Sequence, residues 1–229
     1  MLPYIDPEHA NQDFPPVTSA LTEPDGLLAV GGCLSTKRII SAYTQGIFPW
    51  YSEGEPILWW SPNPRLVLLP DNLHISKSLK KTLRKQTFQI SFDHAFAEVI
   101  SACAAPRDDE EGTWLTQEMQ AAYIRLHNEG HAHSIEVWHQ GRLVGGLYGI
   151  AIGQVFFGES MFHRKTDASK VAFISLVQHL TDWGYKLIDC QVQTQHLVSL
   201  GAEEITRHQF TSLLDQYHAC QPHQQAWQQ

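Results

Sequence analysis

The pattern of apolar and polar positions in the second half of the chain predicts an antiparallel meander followed by a helix and another strand. Three segments with the composition of strands are separated by short turns. These predicted strands are residues 134–138, 143–152 and 155–162. A strongly apolar helix is predicted at 168–183 and a further strand at 186–192.

The step from 155–162 through the helix to 186–192 is a crossover, so the two strands are expected to be parallel neighbours. With the meander they predict an α+β fold whose sheet is mixed and mainly antiparallel. Ligands tend to enter where such strands begin to splay. The carboxyl ends of these two strands are therefore the first place to look for a site.

Other helices are predicted at residues 35–45, 76–85, 116–128 and 206–217. Ser35 and Thr206 are suitable caps for the first and last of them, and Gly46 suits the position after the first. The chain before about Asn63 is rich in proline and glycine.

The helix at 76–85 carries an unusual charge pattern. No acidic residue occurs from Asn72 to Phe92, and five of the sixteen basic residues fall within that window. They are Lys77, Lys80, Lys81, Arg84 and Lys85. Leu79 and Leu83 point the other way. A solvated face usually mixes both signs of charge, so a phosphate-binding stripe is the competing interpretation.

The segment FPWYSEGEPILWWSPNPR is dense in aromatic residues and prolines. Trp50, Trp59 and Trp60 either pack a connector between domains or offer flat faces on which a base can stack. The sequence leaves both interpretations open.

Composition excludes several classes of protein. The net charge of −8 argues against wholesale coating of nucleic acid. We expect no signal peptide and no membrane span. Four scattered cysteines form neither a zinc nor a disulfide framework and favour the cytoplasm. We also expect no metal, because Gly130 separates His127 from His131 and His133 and so breaks any shared helical face.

Polar residues in two apolar strands are the candidate chemistry. In LIDCQV, alternation places Asp189 and Gln191 on one face and Cys190 on the other. The pair is either a buried hydrogen bond or a site that handles protons, and Cys190 is badly placed to be a nucleophile. In FFGESMF, a buried Glu159 needs a partner or a cationic ligand.

Alternation along FFGESMF assigns Phe157, Glu159 and Met161 to one face, and Phe156, Ser160 and Phe162 to the other. Apolar side chains, a glycine and one carboxylate suit a pocket for an apolar group beside a charged one. The layout of the sheet resembles that of GNAT-type acyltransferases. The loop HRKTDASK lacks the glycines that hold coenzyme A in such enzymes, so another acyl carrier is expected.

Motifs along nearly the whole chain are similar to those of the leucyl/phenylalanyl-tRNA–protein transferase family. The most specific are WWSPNPR, GHAHSIEVW, GESMF and DCQ, with EPDGLLAVGG, GIFPWY and SLGAEEI in support. The resemblance implies a small N-terminal domain at 1–63 and a GNAT-like catalytic domain at 64–229. Before Glu23 the match is not distinctive.

The resemblance also implies an activity. Such an enzyme transfers Leu or Phe, and less well Met, from aminoacyl-tRNA to proteins that begin with Arg or Lys, and so marks them for degradation. It implies no cofactor.

Residue roles follow where the motifs match. Asp189 and Gln191 resemble the reaction centre, and Trp50 and Trp114 resemble aromatic residues near the terminal adenosine. Glu159 resembles a pocket carboxylate. The expected pocket walls are Phe156, Met161 and Ile188, with Leu147 where Met is also seen. The expected tRNA-binding residues are Lys77, Lys81, Arg84 and Lys85. Thr194 stands where Asn is also seen and is assigned no role.

Two other functions remain possible on the residues alone. A coenzyme-A-dependent N-acetyltransferase would fit the layout but not the loop without glycine. A tRNA-binding module without activity would explain the basic helix and the tryptophans, but would leave Asp189, Gln191 and Glu159 without a role.

Overall fold

The computed structural model describes residues 2–9, 11–105 and 115–227. A four-stranded sheet lies in the first quarter of the chain, in the order β1-β2-β4-β3. Its strands are β1 (Tyr4–Ile5), β2 (Leu27–Gly31), β3 (Phe48–Pro49) and β4 (Leu58–Trp60). Helix α1 (Thr36–Tyr43) connects β2 to β3. The Ser35 side chain caps α1, as predicted, by accepting a hydrogen bond from the backbone N–H of Arg38.

A seven-stranded mixed sheet contains the remaining strands, in the order β11-β5-β10-β9-β8-β7-β6. They are β5 (Arg65–Leu68), β6 (Gln89–Phe92), β7 (Ala132–His139), β8 (Arg142–Ile152), β9 (Val155–His163), β10 (Leu187–Gln191) and β11 (Glu203–Ile205). Strands β7, β8 and β9 form the predicted antiparallel meander. Strand β10 is parallel to β9, which confirms the crossover and the GNAT-like, α+β layout.

Within the described residues, six α-helices accompany this sheet. They are α2 (Lys77–Arg84), α3 (Phe96–Ala104), α4 (Gln117–Asn128), α5 (Ala168–Asp182), α6 (Gln195–Val198) and α7 (Arg207–Tyr217). Helix α5 covers one face of the meander, because almost all of its inward positions are apolar. Helices α3 and α4 cover the opposite face. The predicted helices at 76–85, 116–128, 168–183 and 206–217 are thus confirmed.

Two hydrophobic cores lie on the two faces of the large sheet. The core on the α3 and α4 side continues into the small sheet, through residues such as Tyr43 and Trp59. The core on the α5 side includes Phe156, Ile188 and Leu147. The small sheet therefore packs against one face of the large one, and side chains from both sheets meet where β9 and β10 end.

Candidate functional site

The two parallel strands β9 and β10 separate after three paired positions. Their register runs from Leu187 opposite Val155 to Asp189 opposite Phe157. Beyond that point a cavity of about 1180 Å³ opens between the strands, α5 and the loop that precedes it. This is the place at which the crossover predicted a binding site.

One wall of the cavity is apolar. It brings together Leu147, Phe156, Met161 and Ile188 from the sheet with Phe173 and Leu176 from α5. All four predicted pocket residues therefore lie in one cavity. Branched and aromatic side chains of this size form a wall that sorts apolar ligands by shape.

The predicted faces of Met161 and Phe162 are wrong. Along β9, Gly158 pairs with Gly149 but Ser160 pairs with Tyr148, so Glu159 is an extra residue in a β-bulge. The bulge shifts the alternation by one position. Phe157 and Glu159 stay on the α4 face and Phe162 joins them, whereas Met161 moves to the α5 face with Phe156. The bulge thus sets an apolar wall beside a carboxylate.

The carboxylate of Glu159 is surrounded by hydrogen-bond donors. Tyr43 and Tyr123 donate to its two oxygens at 2.7 Å each, and Gln191 Nε2 donates to Oε1 at 3.3 Å. Burial raises the pKa of Glu159 to about 7, although the tyrosine hydrogen bonds oppose that rise. A carboxyl group that titrates near neutral pH therefore lines the cavity.

Asp189 is paired with an arginine that the sequence analysis assigned no role. Arg65 on β5 donates from Nε to Oδ1 at 2.8 Å and from Nη2 to Oδ2 at 2.6 Å. The side chains of Arg65 and Asp189 are 1% and 0% exposed. The guanidinium also lies over the rings of Phe48 and Phe210, which joins the small sheet and α7 to the site.

Gln191 is held in an uncommon backbone conformation. Its φ is 62°, and the register of β10 shifts between Asp189 and Gln191. The Gln191 backbone N–H donates to Asp189 Oδ1 at 2.9 Å, which stabilises this turn. Asp189 and Gln191 therefore both reach the Glu159 side of the sheet. Cys190 packs in the core on the α5 side, where burial raises the pKa of its thiol.

The tryptophans differ in their surroundings. Trp59 is buried against Phe14 and donates to the Gly31 carbonyl, so the packing interpretation is correct for it. Trp60 donates to the backbone carbonyl of Trp50, a residue that is 48% exposed. An exposed ring on a fixed backbone is available for stacking. Trp114 lies outside the described residues.

The basic helix α2 lies beside the loop that lines the cavity. Thr82 Oγ1 donates to Asp167 Oδ2 at 2.9 Å, which ties α2 to the start of α5. Leu79 is buried, whereas all four predicted tRNA-binding residues are exposed. They are Lys77, Lys81, Arg84 and Lys85.

Two of the three histidines considered for a metal site, His127 and His133, have partners within the protein. His133 Nδ1 lies 2.7 Å from Asp93 Oδ2, and His127 Nδ1 lies 2.8 Å from the Ala132 carbonyl. Among the described residues, no three His, Cys, Asp or Glu side chains form a group that fits a metal ion. In the same residues, no helix combines the length and the apolar character needed to cross a bilayer.

The sequence did not predict Phe173 and Leu176 on the apolar wall, and it did not predict three polar residues of the site. Arg65 begins the run RLVLL, and an arginine there needs a buried carboxylate, for which Asp189 in its apolar strand is a candidate. That signal was available. Tyr43 and Tyr123 carried no signal, since their hydroxyl groups meet at 2.9 Å only after folding joins α1 to α4.

Known proteins are similar to this chain along almost its whole length. The family model described as leucyl/phenylalanyl-tRNA protein transferase matches residues 67–215, and the model of that family's N-terminal domain matches 32–63. A leucyl/phenylalanyl-tRNA–protein transferase from Methylococcus capsulatus is 58% identical over 227 residues, covering 99% of this chain and 97% of its own. One from Pseudomonas syringae pv. tomato is 62% identical over 204 residues, covering 89% of each chain.

Among solved structures, a GCN5-related N-acetyltransferase from Kribbella flavida is similar at 11% identity, with a TM-score of 0.37 over 72% of this chain and 58% of its own. The family models together span most of the sequence, and the relatives match it almost from end to end. The chain belongs to the leucyl/phenylalanyl-tRNA–protein transferase family.

Proposed function

We propose that the protein transfers leucine or phenylalanine, and less well methionine, from aminoacyl-tRNA to proteins that begin with Arg or Lys. The new peptide bond marks these proteins for degradation. One observation carries the proposal: a single cavity holds an apolar wall on one side and the Glu159–Gln191–Asp189 group on the other. The apolar wall suits the donor side chain, and the carboxylate of Glu159 suits a cationic acceptor.

The donor is an activated ester, so the reaction needs positioning more than a strong base. The acceptor α-amine has a reference pKa of about 7.7–8.0, and part of it is neutral near pH 7. Its nitrogen attacks the ester carbonyl carbon. The C–N bond forms, the bond from that carbon to the ribose oxygen breaks, and the amine proton ends on the departing ribose oxygen.

Gln191 is the residue that orients the incoming amine in this proposal. Its side chain is fixed by Glu159 at 3.3 Å, and its backbone N–H is fixed by Asp189 at 2.9 Å. Both Asp189 oxygens already accept hydrogen bonds from Arg65. Asp189 therefore acts as a positioning residue that supports Gln191, and a proton relay through its carboxylate is disfavoured.

The polynucleotide part of the donor would bind on α2 and near Trp50. Exposed lysines and arginines on one helical face can contact successive phosphates. The exposed Trp50 ring offers a stacking surface for a base. Residues 1–63 form a small N-terminal domain and residues 64–229 a catalytic domain in this proposal, because β4 ends at Trp60 and β5 begins at Arg65. Four free cysteines favour the cytoplasm.

Transfer of radiolabelled leucine tests the proposal. Leu-tRNA and the purified protein are incubated with a peptide that begins with Arg, and with a matched peptide that begins with Gly. Label is expected on the Arg peptide and not on the Gly peptide. Absence of label on both peptides, with a folded protein and intact Leu-tRNA, would exclude the activity.

A further inference from the structure

Part of the rim of the cavity is basic. His163 ends β9, Lys170 lies in the first turn of α5, and His196 lies in α6, and all three line the cavity. Within the described part of the chain, none of the ion pairs involves any of these three side chains. Three positively chargeable groups thus face one space without an ion-pair partner, and the Asp167 carboxylate that also lines it accepts a hydrogen bond from Thr82.

His196 adds a second, independent observation. Its Nε2 atom is buried and has no hydrogen-bond partner among the described residues. Burial lowers the pKa of His196, and the neighbouring charges of Lys170 and His163 lower it further. A buried nitrogen without a partner, held among like charges, is costly unless a ligand supplies an acceptor and negative charge.

The start of α5 has the same polarity. Asp167, the residue before this fifteen-residue helix, has φ 68° and makes no side-chain capping bond; its carboxylate accepts a hydrogen bond from Thr82 instead. The positive end of the helix dipole and the backbone N–H groups of the first turn favour an anion. Lys170 on this turn is half-buried, which holds its charge at the cavity rather than in open solvent.

We propose that His163, Lys170, His196 and the first turn of α5 bind a phosphodiester of the donor RNA, close to its aminoacylated end. The inference rests on the proposed function. An RNA whose aminoacyl group occupies the apolar wall must leave the cavity past its rim, and its backbone carries one negative charge at each nucleotide step. The acceptor is cationic in the proposed reaction, so this basic rim repels it and selects the anionic partner.

The site is tested with three donors that differ in phosphodiesters. Phenylalanyl-adenosine has none, the phenylalanyl ester of cytidylyl-adenosine has one, and Phe-tRNA has many. All are assayed with a peptide that begins with Arg. For K170Q, kcat/KM is expected to fall about tenfold with the dinucleotide and with Phe-tRNA, the loss of one charge-assisted hydrogen bond. It is expected to stay unchanged with phenylalanyl-adenosine.

Two variants and one salt series sharpen the test. K170R keeps the positive charge, and its kcat/KM with the dinucleotide and with Phe-tRNA is expected to be close to that of the wild type. K186Q removes an exposed lysine at the opposite end of β10 and is expected to behave like the wild type with every donor. The slope of log kcat/KM against log salt for Phe-tRNA is expected to become shallower by about 0.7 in K170Q, as for one lost phosphate contact on a single strand.

The possible outcomes distinguish a failure of this inference from a failure of the proposed function. Equal loss with all three donors would show that Lys170 only supports the cavity, and no loss with the dinucleotide and Phe-tRNA would show that the rim binds no phosphate. Either result overturns the inference while the wild type still transfers phenylalanine. A wild type that transfers from none of the three donors overturns both.

Discussion

Arg65 donates two hydrogen bonds to Asp189, at 2.8 and 2.6 Å, and both side chains are almost completely buried. The two residues lie on the antiparallel neighbours β5 and β10, so the pair fixes these strands side by side. Asp189 Oδ1 also accepts the backbone N–H of Gln191. A structural ion pair and the candidate reaction centre therefore share one carboxylate.

Breaking this pair should destabilise the protein strongly. In R65M or D189N one charge stays buried without its partner, which typically costs about 3–5 kcal/mol. For a chain of this size that corresponds to a fall in Tm of roughly 6–20 °C. Differential scanning calorimetry of both variants, and of the double variant R65M/D189L, measures it. The double variant should regain stability but not kcat, whereas a double variant as unstable as the sum of both singles would contradict a paired interaction.

Shortening Gln191 should lower turnover without unfolding the protein. Asn tolerates the positive φ of this position, so Q191N keeps the backbone and withdraws the amide by one methylene. A displacement of about 1 Å in a positioning group can cost about a hundredfold in rate. Single-turnover transfer from Leu-tRNA is the measurement, and C190S, on the other face of β10, is the control. A normal rate in Q191N with a slow rate in C190S would reverse the assignment.

The sequence predicted the meander, the crossover and the position of the cavity because apolar periodicity is local information. It also predicted Asp189 and Gln191 on one side and Cys190 on the other. It missed β5, since the four residues Arg65–Leu68 follow a proline-rich segment and take their place between β10 and β11 only through long-range pairing. A short strand without alternation leaves no periodic signal.

The sequence predicted single polar residues of the site but not the contacts between them. Glu159 was recognised as a carboxylate that needs partners, but those partners, Tyr43 and Tyr123, lie 116 and 36 residues away along the chain. The sequence assigned Met161 to the wrong face of β9, because strict alternation does not account for the bulge at Glu159. Bulges depend on the neighbouring strand, so one strand's sequence does not reveal them.

Glu159 should make stability depend on pH. Its pKa rises from 4.5 to about 7 on folding, so the folded protein binds the proton more tightly than the unfolded chain. This contribution is fully present below about pH 4.5 and is lost as the pH rises through about 7, by at most about 1.4 kcal/mol for each pH unit. Urea unfolding from pH 5 to 8 should show the slope in the wild type and a reduced slope in E159Q. An identical slope in both would assign the titration to another group.

Charge reversal on α2 should weaken tRNA binding and leave the fold intact. Lys77 and Lys81 are exposed, so K77E/K81E removes two candidate phosphate contacts without disturbing the buried Leu79. The salt dependence of binding should flatten by about 0.9 for each lost contact to a duplex. Filter binding of Leu-tRNA at several salt concentrations measures it. The control K37E/K186E changes the net charge equally, at exposed positions in α1 and just before β10. If this control weakens tRNA binding as much, the effect comes from net charge and not from contacts on α2.

Trp227 lies behind the apolar wall of the cavity and should influence which donors fit. Its ring stacks on His133 at 4.0 Å and lies 5.9 Å from Phe156, measured between ring centroids. Its Nε1 donates to the Tyr185 hydroxyl at 2.8 Å. Phe156 is fully buried and lines the cavity, so Trp227 limits how far that ring can withdraw.

Removing the Trp227 ring should therefore enlarge the donor pocket. In W227A, the ring of Phe156 can move away from the cavity. Transfer of the larger donor side chain, Phe, should therefore increase more than transfer of Leu. A change of one methylene in an apolar pocket is worth about 1–3 kcal/mol, or roughly 10- to 200-fold, and a displaced ring should reach the lower end of that range. The ratio of kcat/KM for Phe-tRNA to that for Leu-tRNA should rise about tenfold, and W227F should restore part of the original ratio. Y185F removes only the hydrogen bond to Nε1 and should leave the ratio unchanged. A W227A protein that loses stability but keeps the wild-type ratio would show that Trp227 packs the tail against the sheet without shaping the pocket.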